Sequence, residues 1–476
     1  MNMNDSLLTS LKDVYSDRLI TTPEGMQPYL LDWRKRKQGV ALAVVEPSTT
    51  QGVAAVVKWC AAHGVVVVPQ GGNTGLSGGA TPEPAGVSTQ PAVVISLKRM
   101  NKVRAIDALN NTLTVEAGCI LQNVQEAASE AGRLFPLSLA SQGTCTVGGN
   151  LSTNAGGVNV LRYGNMRELC LGLEVVTAQG EIWNGLRGLR KDNTGYDLRD
   201  VFIGAEGTLG IITAAVLKLH PLPAARQVAW LAVASPEVAQ ELLALAQAKL
   251  GAALTAFELM SEIAHSLVIT HVPTARRPLA DISPWYVLIE VVDSHSDASC
   301  NAVLQALLEA AFDASLITDA VVASSQAQFK AIWALREDIS EAQASEGKNI
   351  KHDIAVPVSQ VANFIRVTHA LVADAFPAVR MVTFGHMGDG NLHYNVSPPV
   401  GSDHNEFLKN QDAINLIVHD SVARFNGSVS AEHGLGTLRR DEAARYKSSV
   451  EMNMMRAVKQ ALDPQGIMNP NKVLAV

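Results

Sequence analysis

Three glycine-rich segments in the first half of the chain limit what it can fold into. The first follows an apolar, β-branched run, Val65-Val66-Val67-Val68, and reads Pro69-Gln70-Gly71-Gly72-Asn73-Thr74-Gly75-Leu76. Successive glycines let backbone N–H groups converge on an anion without Cβ obstruction, as a pyrophosphate requires. No Gly-Lys-Ser/Thr follows, so this is not a Walker A loop, and the spacing is wrong for a G-x-G-x-x-G fingerprint. Taken alone it reads more readily as a tight turn. The second segment runs from Ser141 through Gly143, Cys145, Thr146, Gly148, Gly149, Asn150 and Asn154 to Gly156 and Gly157. Its small polar residues cannot build a core, but they suit a backbone wrapped around a flat or phosphorylated ligand. The third joins Asp192-Asn193-Thr194-Gly195-Tyr196-Asp197 to Gly204-Ala205-Glu206-Gly207-Thr208-Leu209-Gly210-Ile211-Ile212. Three such segments are hard to explain as turns. A large cofactor is the better reading.

A second constellation lies near the C-terminus, in Phe384-Gly385-His386-Met387-Gly388-Asp389-Gly390-Asn391-Leu392-His393-Tyr394-Asn395. Asp389-Gly390 is a two-residue hairpin signal, because a type I′ turn needs positive φ at both central positions. That turn pairs Gly388 with Asn391, Met387 with Leu392 and His386 with His393. The two imidazoles then stand opposite each other on one face, with Asn395 further along it. Side by side they invite a divalent metal, and Glu432, in Ser430-Ala431-Glu432-His433-Gly434, is a third ligand from a separate segment. Two histidines and one carboxylate with an open position suit Zn²⁺ or another borderline metal that also binds substrate. His433, beside that ligand, is the candidate base. The bland alternative for the pair is a glycine-rich turn with surface histidines.

The remaining features bound the class. With 476 residues the chain is long enough for two or three domains. A net charge of -7, a pI near 6.0 and one short basic run, Arg34-Lys35-Arg36-Lys37, argue against nucleic-acid binding. Cys60, Cys119, Cys145, Cys170 and Cys300 are odd in number, scattered and never in a C-x-x-C pair. They read as small hydrophobes in a reducing compartment. Met1-Asn2-Met3-Asn4-Asp5-Ser6 has neither a basic n-region nor an apolar h-region, so no signal peptide is expected. No run of about 18 apolar residues suggests a membrane span. The cytoplasm is the default.

Periodicity predicts an α+β chain. A strand over 40–45, a helix over 48–63 and a strand over 65–68 open the first domain, and mixed short strands and helices follow. Composition changes at Leu219-His220-Pro221-Leu222-Pro223. Beyond it, strands over 228–233 and 285–292 alternate with helices over 236–249, 299–311 and 358–375. This β-α-β-β-α-β rhythm suggests a ferredoxin-like second domain. The domains predicted are 1–221, 222–425 and a C-terminal segment, 426–476.

Together these motifs resemble the flavin-dependent dehydrogenases of the vanillyl-alcohol-oxidase type, specifically the D-2-hydroxyacid branch. That branch includes D-lactate dehydrogenase, the glycolate oxidase D-subunit and D-2-hydroxyglutarate dehydrogenase. The match runs from about residue 40 to the C-terminus. It implies a two-lobed FAD-binding domain, a ferredoxin-like substrate (cap) domain and a C-terminal segment returning to the flavin. Residues 69–76 would hold the pyrophosphate of a non-covalent FAD, and Ser141, Gly143, Thr146, Gly148, Gly149, Asn154, Gly156 and Gly157 would line the flavin and ribityl chain. Main-chain groups at Gly207, Ile211 and Ile212 would meet the adenine-side half, and Asn469 would approach the isoalloxazine. The resemblance also implies a metal on His386, His393 and Glu432 with His433 as base. Arg336 and Ser340, four apart and hence on one helix face, with Lys351 on the following strand and Asn395, would bind the substrate. Ser340 stands where a threonine is expected and keeps the hydroxyl. The activity implied is oxidation of a D-2-hydroxy acid, foremost D-2-hydroxyglutarate, to the 2-oxo acid with hydride passing to flavin N5. D-lactate dehydrogenase, a glycolate-oxidase-type subunit and a non-catalytic FAD-binding subunit are the alternatives. An electron-transfer flavoprotein and a quinone are equally compatible acceptors. The oligomeric state is open, a homodimer among the options.

Overall fold

The computed structural model describes residues 3–88 and 90–475; Met1 and Asn2 of the N-terminal stretch lie outside the described residues. The chain divides into two units. The first comprises Met1–Gly156, Gly164–Leu222 and Glu432–Val476, the second Gly157–Tyr163 and Pro223–Ala431.

In the first unit the β-branched runs form β1 (Leu19–Ile20), β2 (Ala43–Val45), β3 (Val66–Gln70) and β4 (Ala92–Ser96), ordered β1-β2-β4-β3. The pairs β2–β4 and β4–β3 are parallel, so β2 and β3 need a crossover, which the helix Thr50–His63 supplies. That helix starts where the Thr49 side chain accepts the Gly52 N–H. It ends at Gly64, whose φ of 62° completes the C-terminal cap. Every position of β4 is buried, as expected of a parallel strand covered on both faces.

Next in the chain come β5 (Val103–Asp107), β6 (Thr112–Glu116), the two-residue β7 (Arg133–Leu134), β8 (Cys170–Thr177), β9 (Ile182–Gly185), β10 (Gly210–Lys218) and β11 (His220–Pro221). Five of them form an antiparallel sheet ordered β5-β6-β10-β8-β9, and β7 pairs with β11. The closing Asn-Pro stretch docks on β3. The Val67 N–H donates to the Ile467 carbonyl at 2.9 Å, and the Asn469 N–H to the Val67 carbonyl at 2.8 Å.

The second unit is built on one sheet of β12 (Ala225–Val233), β13 (Leu254–Ser261), β14 (Trp285–Asp293), β15 (Asp319–Val322), β16 (Asp353–Ala355), β17 (Arg380–His386) and β18 (Asn391–Ser397). Its order is β15-β12-β14-β13-β17-β18-β16, and all pairs are antiparallel. The first four strands, with the crossover helices Pro236–Leu250 and Asp297–Asp313, have the ferredoxin-like β-α-β-β-α-β arrangement. From β13 the sheet continues into β17, β18 and β16. Trp230, Met260, Tyr286, Trp333 and Phe384 lie in the core packed on this sheet.

Candidate functional site

In the first unit the stretch 192–197 of the third glycine-rich segment lines a separate cavity, while parts of all three segments converge on one cavity. Of the residues expected to hold a cofactor, Pro69, Gly71, Gly72, Asn73, Thr74, Gly75, Thr146, Gly148, Gly149, Gly207, Ile211 and Ile212 line it, and so does His433. Leu76, Ser141, Gly143, Asn154, Gly156 and Asn469 do not line it, and Gly157 belongs to the second unit. Close backbone packing explains the glycines. A Cβ on Gly72 would stand 2.2 Å from the Thr144 carbonyl oxygen, and one on Gly71 would stand 2.3 Å from Thr146 Oγ1. A Cβ on Gly75 would meet nothing within 4 Å, so the loop presses on the second segment at one end and opens at the other.

Polar demand around the cavity fits a phosphorylated, hydrogen-bonding cofactor. Among the described residues, Thr146 Oγ1 and Asn150 Nδ2, both lining the cavity, are buried without a hydrogen-bond partner, as is Asn469 Oδ1 outside its lining, whereas native folds pair nearly all such atoms. Asn469 is itself held, since its Nδ2 donates to the carbonyls of Gly79 (2.9 Å) and Glu206 (2.8 Å).

The segment carrying His433 is tied down from the same unit. The Glu206 carboxylate accepts the N–H groups of Leu435 (2.7 Å) and Gly436 (2.8 Å), and the Ser77 hydroxyl lies 3.1 Å from the carbonyls of both His433 and Gly434. Burial raises the Glu206 pKa, and the two N–H donors offset this only in part. Glu206 had no role in the sequence analysis, although it stands inside a quoted motif. Its φ of 51° marks it as a position under tertiary constraint.

The second unit holds the histidine pair, in a register other than the expected one. His386 pairs with Asn391 and Phe384 with His393, so the loop spans the four residues 387–390. The N–H groups of Asp389 and Gly390 both donate to the His386 carbonyl. Gly390 has φ 86°, but Asp389 is not in the left-handed region a type I′ turn requires. The two-residue shift keeps both histidines on one face, and their rings lie 5.8 Å apart at 73°.

Behind the pair stands a residue that sequence inspection missed. Glu258 on β13 is the direct register partner of His386. Its Oε1 accepts the His386 Nδ1–H at 2.7 Å, and its Oε2 accepts the Arg336 Nε–H at 2.8 Å. Glu258 is fully buried, which alone would raise its pKa, but His386 and Arg336 outweigh burial and hold it at about 2. A lone glutamate in the apolar run Leu254–Ser261 was the only available signal.

The substrate candidates separate. Arg336 is buried, stacked over Phe384 at 4.9 Å and tied to Glu258. Ser340 is exposed, because the helix Gln326–Glu337 ends before it and Ile339–Glu346 begins anew after Asp338. The expected common helix face therefore does not exist. Lys351 lies two residues before β16, not in it. Asn395 is buried, its Oδ1 accepting the His352 N–H (3.2 Å) and its Nδ2 donating to Gln343 Oε1 (2.8 Å). Ala431, the last residue of the second unit, donates its N–H to the Asp353 carbonyl at 3.2 Å. Asp353 is in turn the register partner of His393. Glu432 and His433 follow as the first residues of the chain's return to the first unit, both half-buried.

Comparison with known proteins agrees with this architecture. An FAD binding domain family matches residues 41–185, and the C-terminal domain of FAD linked oxidases matches residues 222–473. Among solved structures, p-cresol methylhydroxylase superposes with a TM-score of 0.78 at 15% identity, covering 100% of this chain and 98% of that one. The 4-ethylphenol oxidase of Gulosibacter chungangensis gives 0.73 at 18%, covering 99% and 97%. The fold is thus that of the vanillyl-alcohol-oxidase type. The D-2-hydroxyglutarate dehydrogenase of Xanthomonas citri pv. viticola is 39% identical over 99% of this chain and 97% of its own length. The mitochondrial D-2-hydroxyglutarate dehydrogenase of Danio rerio is 38% identical over 98% and 85%. The chain belongs to the FAD-linked oxidase family, in the branch that contains these D-2-hydroxyglutarate dehydrogenases, as the motif resemblance implied.

Proposed function

We propose that this chain is an FAD-dependent dehydrogenase that oxidises D-2-hydroxyglutarate to the 2-oxo acid. The observation that carries this is the cavity of the first unit, where glycine segments, unpartnered buried polar atoms and His433 meet. It stands in a chain 39% identical to a D-2-hydroxyglutarate dehydrogenase. Non-covalently bound FAD supplies the acceptor for the substrate's hydride. Backbone N–H groups of residues 71–75 would bind its pyrophosphate, and Thr146 and Asn150 would complete its hydrogen bonds. His433 takes the hydroxyl proton as C2 gives up its hydride, leaving the carbonyl of the 2-oxo acid. Arg336 and Lys351 orient the dicarboxylate through charge-assisted hydrogen bonds.

The reading also includes a divalent metal, Zn²⁺ by its donors, which would acidify the substrate hydroxyl. His386, His393 and Glu432 would hold it. Two imidazoles on one sheet face support this, as does the hydrogen bond of Ala431, next to Glu432, to the register partner of His393. The five cysteines are free and buried, in keeping with a reducing compartment such as the cytoplasm. Either an electron-transfer flavoprotein or a quinone suits as acceptor.

The decisive experiment is anaerobic flavin bleaching by D- and L-2-hydroxyglutarate and D-lactate. D-2-hydroxyglutarate should bleach the flavin fastest. Equal bleaching by both enantiomers, or by none of the three acids, would overturn the proposal.

A further inference from the structure

One carboxylate, Glu258, touches two of the groups given separate tasks above. It projects from β13, the strand beside β17, and is fully buried. Its two oxygens are divided between them, Oε1 at 2.7 Å from His386 Nδ1 and Oε2 at 2.8 Å from Arg336 Nε. A carboxylate only accepts, so Nδ1 is the nitrogen that carries the proton at this contact and Nε2 is the one left to serve as a ligand atom. On the other side, holding Nε orients the planar guanidinium and leaves its η nitrogens to meet a ligand. Stacking over Phe384 at 4.9 Å fixes the same plane from a second direction.

We infer that Glu258 is a positioning residue that couples the metal site to the substrate-carboxylate site, setting the tautomer of His386 and the plane of Arg336 together. The inference rests on the metal assignment proposed above and extends it. Outer-shell acceptors of ligating histidines raise ligand basicity and restrict ring rotation, and their loss commonly weakens metal binding 10–100-fold. Glu258 adds a link that a backbone carbonyl in the same place could not, because its second oxygen reaches Arg336, the cation proposed to meet the substrate carboxylate. Glu258 is not a catalytic residue. It acts through His386 and Arg336.

The test uses the FAD-loaded protein after chelation and dialysis, titrated with Zn²⁺ alone and then with Co²⁺ as a spectroscopic probe. Glu258→Gln should bind both ions roughly 10–100-fold more weakly than the unsubstituted chain while keeping its flavin absorbance. After reloading at saturating metal, its KM for D-2-hydroxyglutarate should rise more than its KM for D-lactate. An unsubstituted chain that takes up no stoichiometric metal would sink the metal assignment itself. If that chain binds metal and Glu258→Gln matches it in affinity and in the KM ratio, the metal assignment stands and the coupling fails. Glu258→Gln leaves the buried Arg336 guanidinium without its anion, which can prevent folding. The double variant Glu258→Gln/Arg336→Met removes that charge but still deprives His386 of its carboxylate. It must therefore show the same loss of metal affinity, and unchanged affinity there also overturns the inference.

Discussion

At the scale of single residues, the molecule sets similar side chains to different work by their surroundings. His433 lines the cavity of the first unit on a segment clamped by Glu206 and Ser77, so its backbone is fixed whatever its ring does. His433→Ala should therefore keep FAD and metal yet lose about 10²–10⁴-fold in the rate of flavin reduction, as expected for a missing general base. Stopped-flow reduction near the unsubstituted rate would exclude it. His369 is the contrasting case. Burial lowers its pKa from 6.5 to about 4, and its ring hydrogen-bonds to the Thr383 hydroxyl at 3.1 Å. The unfolded chain takes up a proton between those two values that the fold resists, so stability present above pH 6.5 is lost as pH falls towards 4. Each such histidine contributes a slope of at most about 1.4 kcal/mol per pH unit. Urea midpoints measured against pH should fall less steeply for His369→Gln than for the unsubstituted chain. Parallel curves would show that His369 is not part of the acid response.

At the scale of elements, local chemistry made most boundaries legible. The helix expected over 48–63 forms as Thr50–His63, two residues shorter at its start because Thr49 is the cap, and β-branched runs mark β2, β3 and β12. The hairpin is the instructive failure. Asp389-Gly390 advertises a two-residue turn, but the loop takes four residues and only Gly390 has positive φ. Because β side chains alternate with period two, the resulting shift by two residues left His386 and His393 on one face. The expected helix face of Arg336 and Ser340 failed for another reason. Asp338 divides one periodic stretch into two helices, so spacing by four no longer measures direction. The glycine loop yields the prediction at this scale. Gly72→Ala places a methyl 2.2 Å from the Thr144 carbonyl, and backbone cannot yield as a side-chain tip can. The variant should purify with markedly less flavin and a lower unfolding midpoint, whereas normal flavin content would mean the two segments separate readily.

For the molecule as a whole, the proposed site draws on segments scattered along the chain, and its two ligands should be separable. Chelation should abolish turnover while the flavin stays bound, with Zn²⁺, Mn²⁺ or Co²⁺ restoring activity; flavin release on chelation would contradict the assignment of the two groups to different residues. The sequence by itself determined which stretches become strand or helix, where backbone can lie close against a ligand, and which acids, bases and imidazoles are available. It could do so because propensity, capping and glycine freedom act between residues near in the chain. Only the tertiary structure decided that Glu258, 128 residues from His386, stands directly opposite it, and that Glu206 reaches across 229 residues to hold the segment after His433. Strand order and register arise from burying whole faces against each other, a global optimum that no local pattern encodes.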